Sequence, residues 1–171
     1  MNIFVLDSDP FIAASSVCDR HCVKMILESA QLLFTAHRVL DPDKTMPEGA
    51  YKATHINHPS AKWVREGEYN YLWLYWHYVS LLEEYTYRYG KTHKCAMWVP
   101  YLLVKPLNIN FTPSLTFQTD TPFALAMPDE YKTDDPVQSY RNYYRGAKTH
   151  LLTYTKRKPP EWIADLATYK P

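Results

Sequence analysis

Residues Asp19 to Thr35 carry the clearest alternation of polar and apolar positions in the chain. On a helix turning about 100° per residue, His21, Lys24, Glu28, Gln31 and Thr35 share an arc of about 80°. Cys22, Val23, Ile26, Leu27, Ala30, Leu33 and Phe34 take the other side, which predicts one amphipathic helix with an apolar face toward a core. Asp9 followed by Pro10 is a helix start, the acid capping and the proline occupying the first turn. From there the helical pattern runs to about Leu40, where Asp41-Pro42-Asp43 and Met46-Pro47-Glu48-Gly49 break it. A long helical stretch spans about Ala61 to Tyr89, with an interruption at Gly67 and a C-cap at Gly90. Shorter helices are predicted over about His93 to Val104, from Asp135-Pro136 to about Leu152, and around Trp162. Residues 105–123 read as a long irregular segment, and Ile3 to Leu6 as one short strand. The expected architecture is mainly α: a single-domain helical fold over residues 1–171, with at most that one N-terminal strand.

Composition narrows the function classes. A net charge of +1 excludes a nonspecific nucleic-acid coat protein, while leaving room for local basic patches. Four glycines and neither phosphate-loop motif argue against nucleotide cradling by a Gly-rich loop. Aromatic residues make up 15%, including 15 Tyr and 5 Trp, side chains suited to half-wet surfaces, pockets and base stacking. Three cysteines without framework spacing point to a reducing compartment, no signal peptide is evident, and no apolar run reaches the roughly 20 residues of a membrane span. The expectation is a protein of the cytoplasm with no membrane partner.

The polar strip of the first long helix sets an acid and a base beside hydrogen-bonding groups, as a pocket wall requires. It is also what a wetted helix face looks like, Lys24 and Glu28 forming an ordinary i,i+4 pair. The loop at 50–59 adds Lys52, His55, Asn57 and His58, and Trp63 and Arg65 follow. This mixture makes poor core and a sensible pocket rim: histidine for proton transfer, Lys and Arg for phosphate, Asn for orientation. Arg88, Lys91, His93 and Lys94 crowd the end of the second long helix among Tyr85, Tyr87 and Tyr89, and Arg141 sits in Tyr140-Arg141-Asn142-Tyr143-Tyr144-Arg145. Basic residues interleaved with aromatics can track a phosphate backbone, although cations at a helix C-terminus are equally served by the macrodipole. Cys18, His21 and Cys22, or His55 with His58, are loosely spaced for a metal, and no paired CxxC exists; no metal and no cofactor is expected. His37 falls on the apolar side and reads as a core histidine, as most of the Tyr and Trp run from Tyr69 to Tyr78 reads as core.

Asp19-x-His21 followed by Glu28 resembles the first helix of the phage pyrimidine-dimer DNA glycosylases, over about residues 2–31, with the family's seven-residue spacing from histidine to glutamate. The resemblance implies a small, mainly α enzyme whose N-terminal amine attacks the sugar C1′ of a damaged nucleotide. It casts Glu28 as the assisting carboxylate, His21 as the histidine beside the DNA, and Met1 as the source of the amine. Two features depart from the family. Leu27 and Gln31 stand where it has arginines, and Asn2 stands where it has the small residue that favours removal of Met, which leaves Met1 as the candidate amine. The stretches YKATHINHP, EEYTYRYGKTHK and AMPDEYK resemble uncharacterised phage proteins along nearly the whole chain, which implies the cytoplasm of an infected host cell.

The chemistry holds together on its own terms. An α-amine titrates near pH 8, far below lysine, so part of it is nucleophilic at neutral pH. A carboxylate stabilises the oxocarbenium-like state at C1′, and aromatics such as Trp63 or Tyr89 would hold an unstacked base. The expected partner is nucleic acid or a nucleotide. A nucleotide or modified-base transferase acting on small phosphorylated substrates is the second reading, and a non-catalytic viral interaction protein the third.

Overall fold

The computed structural model describes residues 1–111 and 119–171. It is mainly α, as the sequence pattern predicts. The elements run α1 (Pro10–Ser16), α2 (Asp19–Leu40), α3 (Pro59–Glu66), α4 (Glu68–Tyr89), α5 (Val99–Leu102) and α6 (Pro136–Ala147). Two three-residue strands, β1 (Thr153–Thr155) and β2 (Thr168–Lys170), pair in parallel with Tyr154 opposite Tyr169. The long helices α2 and α4, each 22 residues, pack together, with α1 on α4 and α3 on both.

Local chemistry explains most boundaries. The Asp9 carboxylate accepts the Phe11 and Ile12 N–H groups at 2.7 and 3.1 Å, and Asp135 caps α6 in the same way. At Gly67 the chain is extended between α3 and α4, and a Cβ there would stand 2.2 Å from the Asp120 carboxylate. Asp120 needs that closeness because it accepts the Tyr69 N–H, an orphan donor of the first turn of α4, at 2.7 Å. Gly90 ends α4 in the left-handed region, φ 64°, a conformation that costs side-chain-bearing residues.

Several expectations are corrected. The helix expected from residue 10 to Leu40 is two helices, because Val17 and Cys18 are extended. The stretch expected as a helix from His93 to Val104 is a tight 3-10 turn over Lys94–Trp98 running into α5, and the one expected around Trp162 is a 3-10 turn over Glu161–Ile163. The helix expected to reach Leu152 ends at Ala147, followed by a 3-10 turn at Thr149–Leu151. Residues 105–111 and 119–123 are irregular as expected, and the rest of that expected irregular segment lies outside the described residues. Ile3 to Leu6 are almost wholly buried but irregular, with Phe4 in the left-handed region, and form no strand; the β structure lies near the C-terminus instead. Within α2, Val23 and Leu27 are exposed at 41% and 38%, whereas His21, Glu28 and Thr35 are buried. The helix is covered on its polar strip as well as on its apolar face, because the N-terminal segment and the loop after α2 lie against it.

One buried charge network ties the ends of four elements together. Arg88 donates from Nε to Glu84 at 2.7 Å, from one Nη to Asp19 at 3.0 Å, and from the other to the Ser15 carbonyl at 3.2 Å. Arg157 forks onto the same Glu84 carboxylate at 2.9 and 2.7 Å, while Asp19 accepts from the Thr155 N–H and hydroxyl. Two cations thereby balance two anions, and the bidentate geometry offsets the desolvation that makes isolated buried charge so costly. Replacing Arg88 with Ala leaves the part-buried Asp19 without a cation and Glu84 with Arg157 alone, and an unfolding titration should show a loss of about 3–5 kcal/mol. An Arg145→Ala variant, which removes an exposed pair with Asp165 and an exposed hydrogen bond to the Trp162 carbonyl, should cost far less.

Candidate functional site

Glu28, in the middle of α2, is where the N-terminus meets the polar strip. Its Oε2 accepts the Asn2 N–H at 2.9 Å and stands 4.0 Å from the α-amine of Met1. Its Oε1 lies 3.3 Å from the Lys24 ammonium, which is itself largely in solvent. The chain reaches this point by local hydrogen bonding. The Asn2 side chain accepts from the N–H groups of Ile3 and Phe4 at 2.7 and 3.2 Å and donates to the Ala126 carbonyl at 2.8 Å. Phe4 takes a left-handed backbone, φ 57°, which costs about 1–2 kcal/mol in a residue with a Cβ. Its ring is then laid on His21, with centroids 4.2 Å apart and planes 17° from parallel.

The histidines around Glu28 are held neutral. Burial, with the charges of Lys148, Lys24, Arg20 and His150 adding to it, pushes His21 down to about 4. His21 Nδ1 lies 2.5 Å from the Tyr144 hydroxyl, and burial pushes the ionisation of that tyrosine well up. His58 caps α3, its Nδ1 accepting the Ser60 N–H at 3.2 Å, which leaves Nε2 with the proton of the neutral ring. Its pKa is lowered by burial first, then by the Met1 amine and His55, with Glu28 opposing. That places His58 within electrostatic reach of both the terminus and the carboxylate. His55, in a left-handed turn at φ 49°, is exposed, as are Lys52 and Asn57.

On the outer side of Glu28 lies an open cavity of about 590 Å³. Lys24, Leu27 and Gln31 line it from α2, Tyr51 from the following loop, and His93 and Lys94 from the turn after α4. Burial lowers the His93 pKa, and its Nδ1 accepts the Cys95 N–H at 3.1 Å. A larger cavity of about 850 Å³ is walled by Phe11, Trp73, Trp76 and Phe123, but none of the residues above lines it, and its carboxylates, Asp9 and Asp120, are spent on helix caps.

Of the residues expected to act, Met1, Lys24 and Glu28 come together, with His21 and His58 flanking them and Gln31 and His93 on the cavity wall. Others stand elsewhere. Arg88 is enclosed in the charge network of α4, and Arg141 donates to the Leu6 carbonyl at 3.0 Å and to Asp7 at 3.2 Å. Arg65 donates to the Ala61 carbonyl within its own helix, and Lys91 is exposed just beyond Gly90. Trp63 is core, its indole donating to the Thr121 carbonyl, and the Tyr89 hydroxyl donates to the Asp19 carbonyl, so neither reaches the cavity. Cys18 and Cys22 are buried with thiols pushed up by desolvation, Cys22 to about 12. Among the described residues no group of three His, Cys, Asp or Glu side chains could hold a metal ion. Lys94, expected in the basic group at the end of α4, lines the cavity with His93, whereas sequence reasoning passed over Asn2 and Tyr51 as site residues. A polar residue just before the apolar run at residues 3–6 was the available signal for Asn2, and nothing in the pattern singled out Tyr51. Comparison with known family models, curated proteins and solved structures finds no match.

The depressed histidines give the fold a pH dependence of definite sign. His21, like the buried His37 and His77, drops from 6.5 to about 4 on folding. The unfolded chain therefore binds these protons first, so the stability they confer is complete above pH 6.5 and is lost as pH falls toward 4. Urea unfolding at pH 7.5 and 5 should show a lower midpoint at pH 5, with a smaller drop in a His21→Gln variant.

Proposed function

We propose that this protein processes nucleic acid as a glycosylase/lyase whose nucleophile is the N-terminal amine. The observation that carries the reading is the meeting of amine and carboxylate: Glu28 Oε2 lies 4.0 Å from the Met1 nitrogen and 2.9 Å from the Asn2 nitrogen. An amine at either residue falls within reach of the same oxygen, so the arrangement tolerates retention or removal of Met1. The resemblance of Asp19, His21 and Glu28 to the phage pyrimidine-dimer glycosylases supports the same assignment.

In the proposed reaction the free amine forms a bond to C1′ as the C1′–base bond breaks. The base leaves with the bonding electron pair and takes up a proton. Opening of the sugar ring at O4′ then gives an imine between protein and C1′. Glu28 stabilises the positive charge that develops at the sugar and takes the proton the amine sheds, while Lys24 holds the other carboxylate oxygen in place. His58, neutral and carrying its proton on Nε2, is a hydrogen-bond donor beside this centre.

Borohydride reduction with oligonucleotides carrying uracil, a thymine dimer or an abasic site tests the reading. A covalent protein–DNA band is expected, reduced at least a hundredfold by Glu28→Gln and abolished when the α-amine is blocked. Absence of a band on every substrate, with the protein folded, refutes amine catalysis, and tight binding of a mononucleotide in that case would favour the transferase reading.

A further inference from the structure

The open cavity beside Glu28 combines three features that its position on α2 does not explain. Its α2 wall carries Val23 and Leu27, at 41% and 38% exposure the two exposed large apolar side chains of that helix. Facing them is Tyr51, a wall fixed in advance: its carbonyl accepts from Arg38 Nε at 2.7 Å, its hydroxyl lies 3.3 Å from Cys95 Sγ, and Phe34 and Trp98 meet its ring edge-on. Two ammonium groups stand at the rim. Lys24 pairs only with Glu28 among the described residues, and Lys94 pairs with no carboxylate there.

We propose that this cavity binds one nucleotide, its base between Leu27 and Tyr51 and its phosphate at Lys24 and Lys94. The proposal rests on the reading of Glu28 as the reacting carboxylate, since it places a base and its sugar beside that group. A volume of about 590 Å³ falls in the range of small-molecule sites and exceeds what a bare base needs, leaving room for sugar and phosphate. Apolar and aromatic walls accept the flat faces of any base, and lysine takes phosphate as a point charge. The base edge finds donors and an acceptor. Gln31 offers both in one amide, and His93, whose Nδ1 is occupied by the Cys95 N–H, offers its Nε2–H. The same pocket serves a free nucleotide or one swung out of a strand.

Calorimetric titration of the intact protein with thymidine 5′-monophosphate and with thymidine tests the proposal without any reaction. Saturable binding of the monophosphate is expected, weaker by at least tenfold for thymidine. Leu27→Arg should weaken binding of the monophosphate at least tenfold, and Lys94→Glu should remove most of the advantage of the phosphate. Leu166→Arg, a comparably exposed leucine outside the cavity, should bind as the unaltered protein does. Competition by a short single strand assigns the nucleotide to a nucleic acid, and its failure assigns it to the free pool; both support the pocket. No binding by the unaltered protein, or equal binding by Leu27→Arg, overturns it. The outcomes separate from those of the reaction: nucleotide binding without a borohydride adduct removes the amine mechanism and leaves the pocket, whereas an adduct without nucleotide binding does the reverse.

Discussion

An irregular segment buried outside any helix or sheet must find another partner for its N–H and carbonyl groups, and the first residues of this protein are in that position. Ile3, Phe4, Val5 and Leu6 are each at most 5% exposed. An orphaned backbone group there would cost about 1–3 kcal/mol, and side chains from across the fold supply the partners. Glu28 takes the Asn2 N–H, Asn2 takes two more from its own successors, Arg141 reaches the Leu6 carbonyl, and the Trp73 indole reaches that of Ser8. Much of the architecture follows. Helix α6 must come close enough for Arg141, α4 close enough for Trp73, and α2 must turn a carboxylate inward.

The same economy shapes the candidate site. Glu28 is the acceptor that anchors the N-terminal segment and, in the proposed reaction, also the carboxylate that would act on the sugar. Its position is fixed from two sides, by Asn2 on Oε2 and by Lys24 on Oε1. A group held this way loses little entropy when a substrate arrives, the condition under which electrostatic stabilisation is most effective. Nearby, Phe4 accepts a strained backbone so that its ring can cover His21, keeping that histidine dry.

What the sequence made legible was local. The Asp-Pro starts of α1 and α6, the interruption at Gly67 and the cap at Gly90 depend on chemistry within a few residues, and each stands where the pattern placed it. His37 reads correctly as a core histidine, buried and hydrogen-bonded to the Tyr71 hydroxyl at 3.0 Å. The break at Val17–Cys18 carries no proline or glycine and so left no mark. Hydrophobic periodicity assumes one buried face, and it misplaced Val23 and Leu27 because α2 is covered over its polar strip too. Contacts such as Asn2 with Ala126, or Lys94 with the α2 cavity, join residues far apart in sequence, and no local pattern encodes them. A strip of polar residues on one helix was visible; which of them would face the chain terminus was not.

The burial of the Met1 end has a practical side. Its side chain is 3% exposed and its nitrogen faces Glu28, whereas Pro171 at the other end is open to solvent. A purification tag fused ahead of Met1 would turn the amine into an amide and push extra chain against the polar strip of α2. Under the proposed amine chemistry, protein made that way would form no adduct, and its inactivity would say nothing about the native molecule. The handle belongs after Pro171.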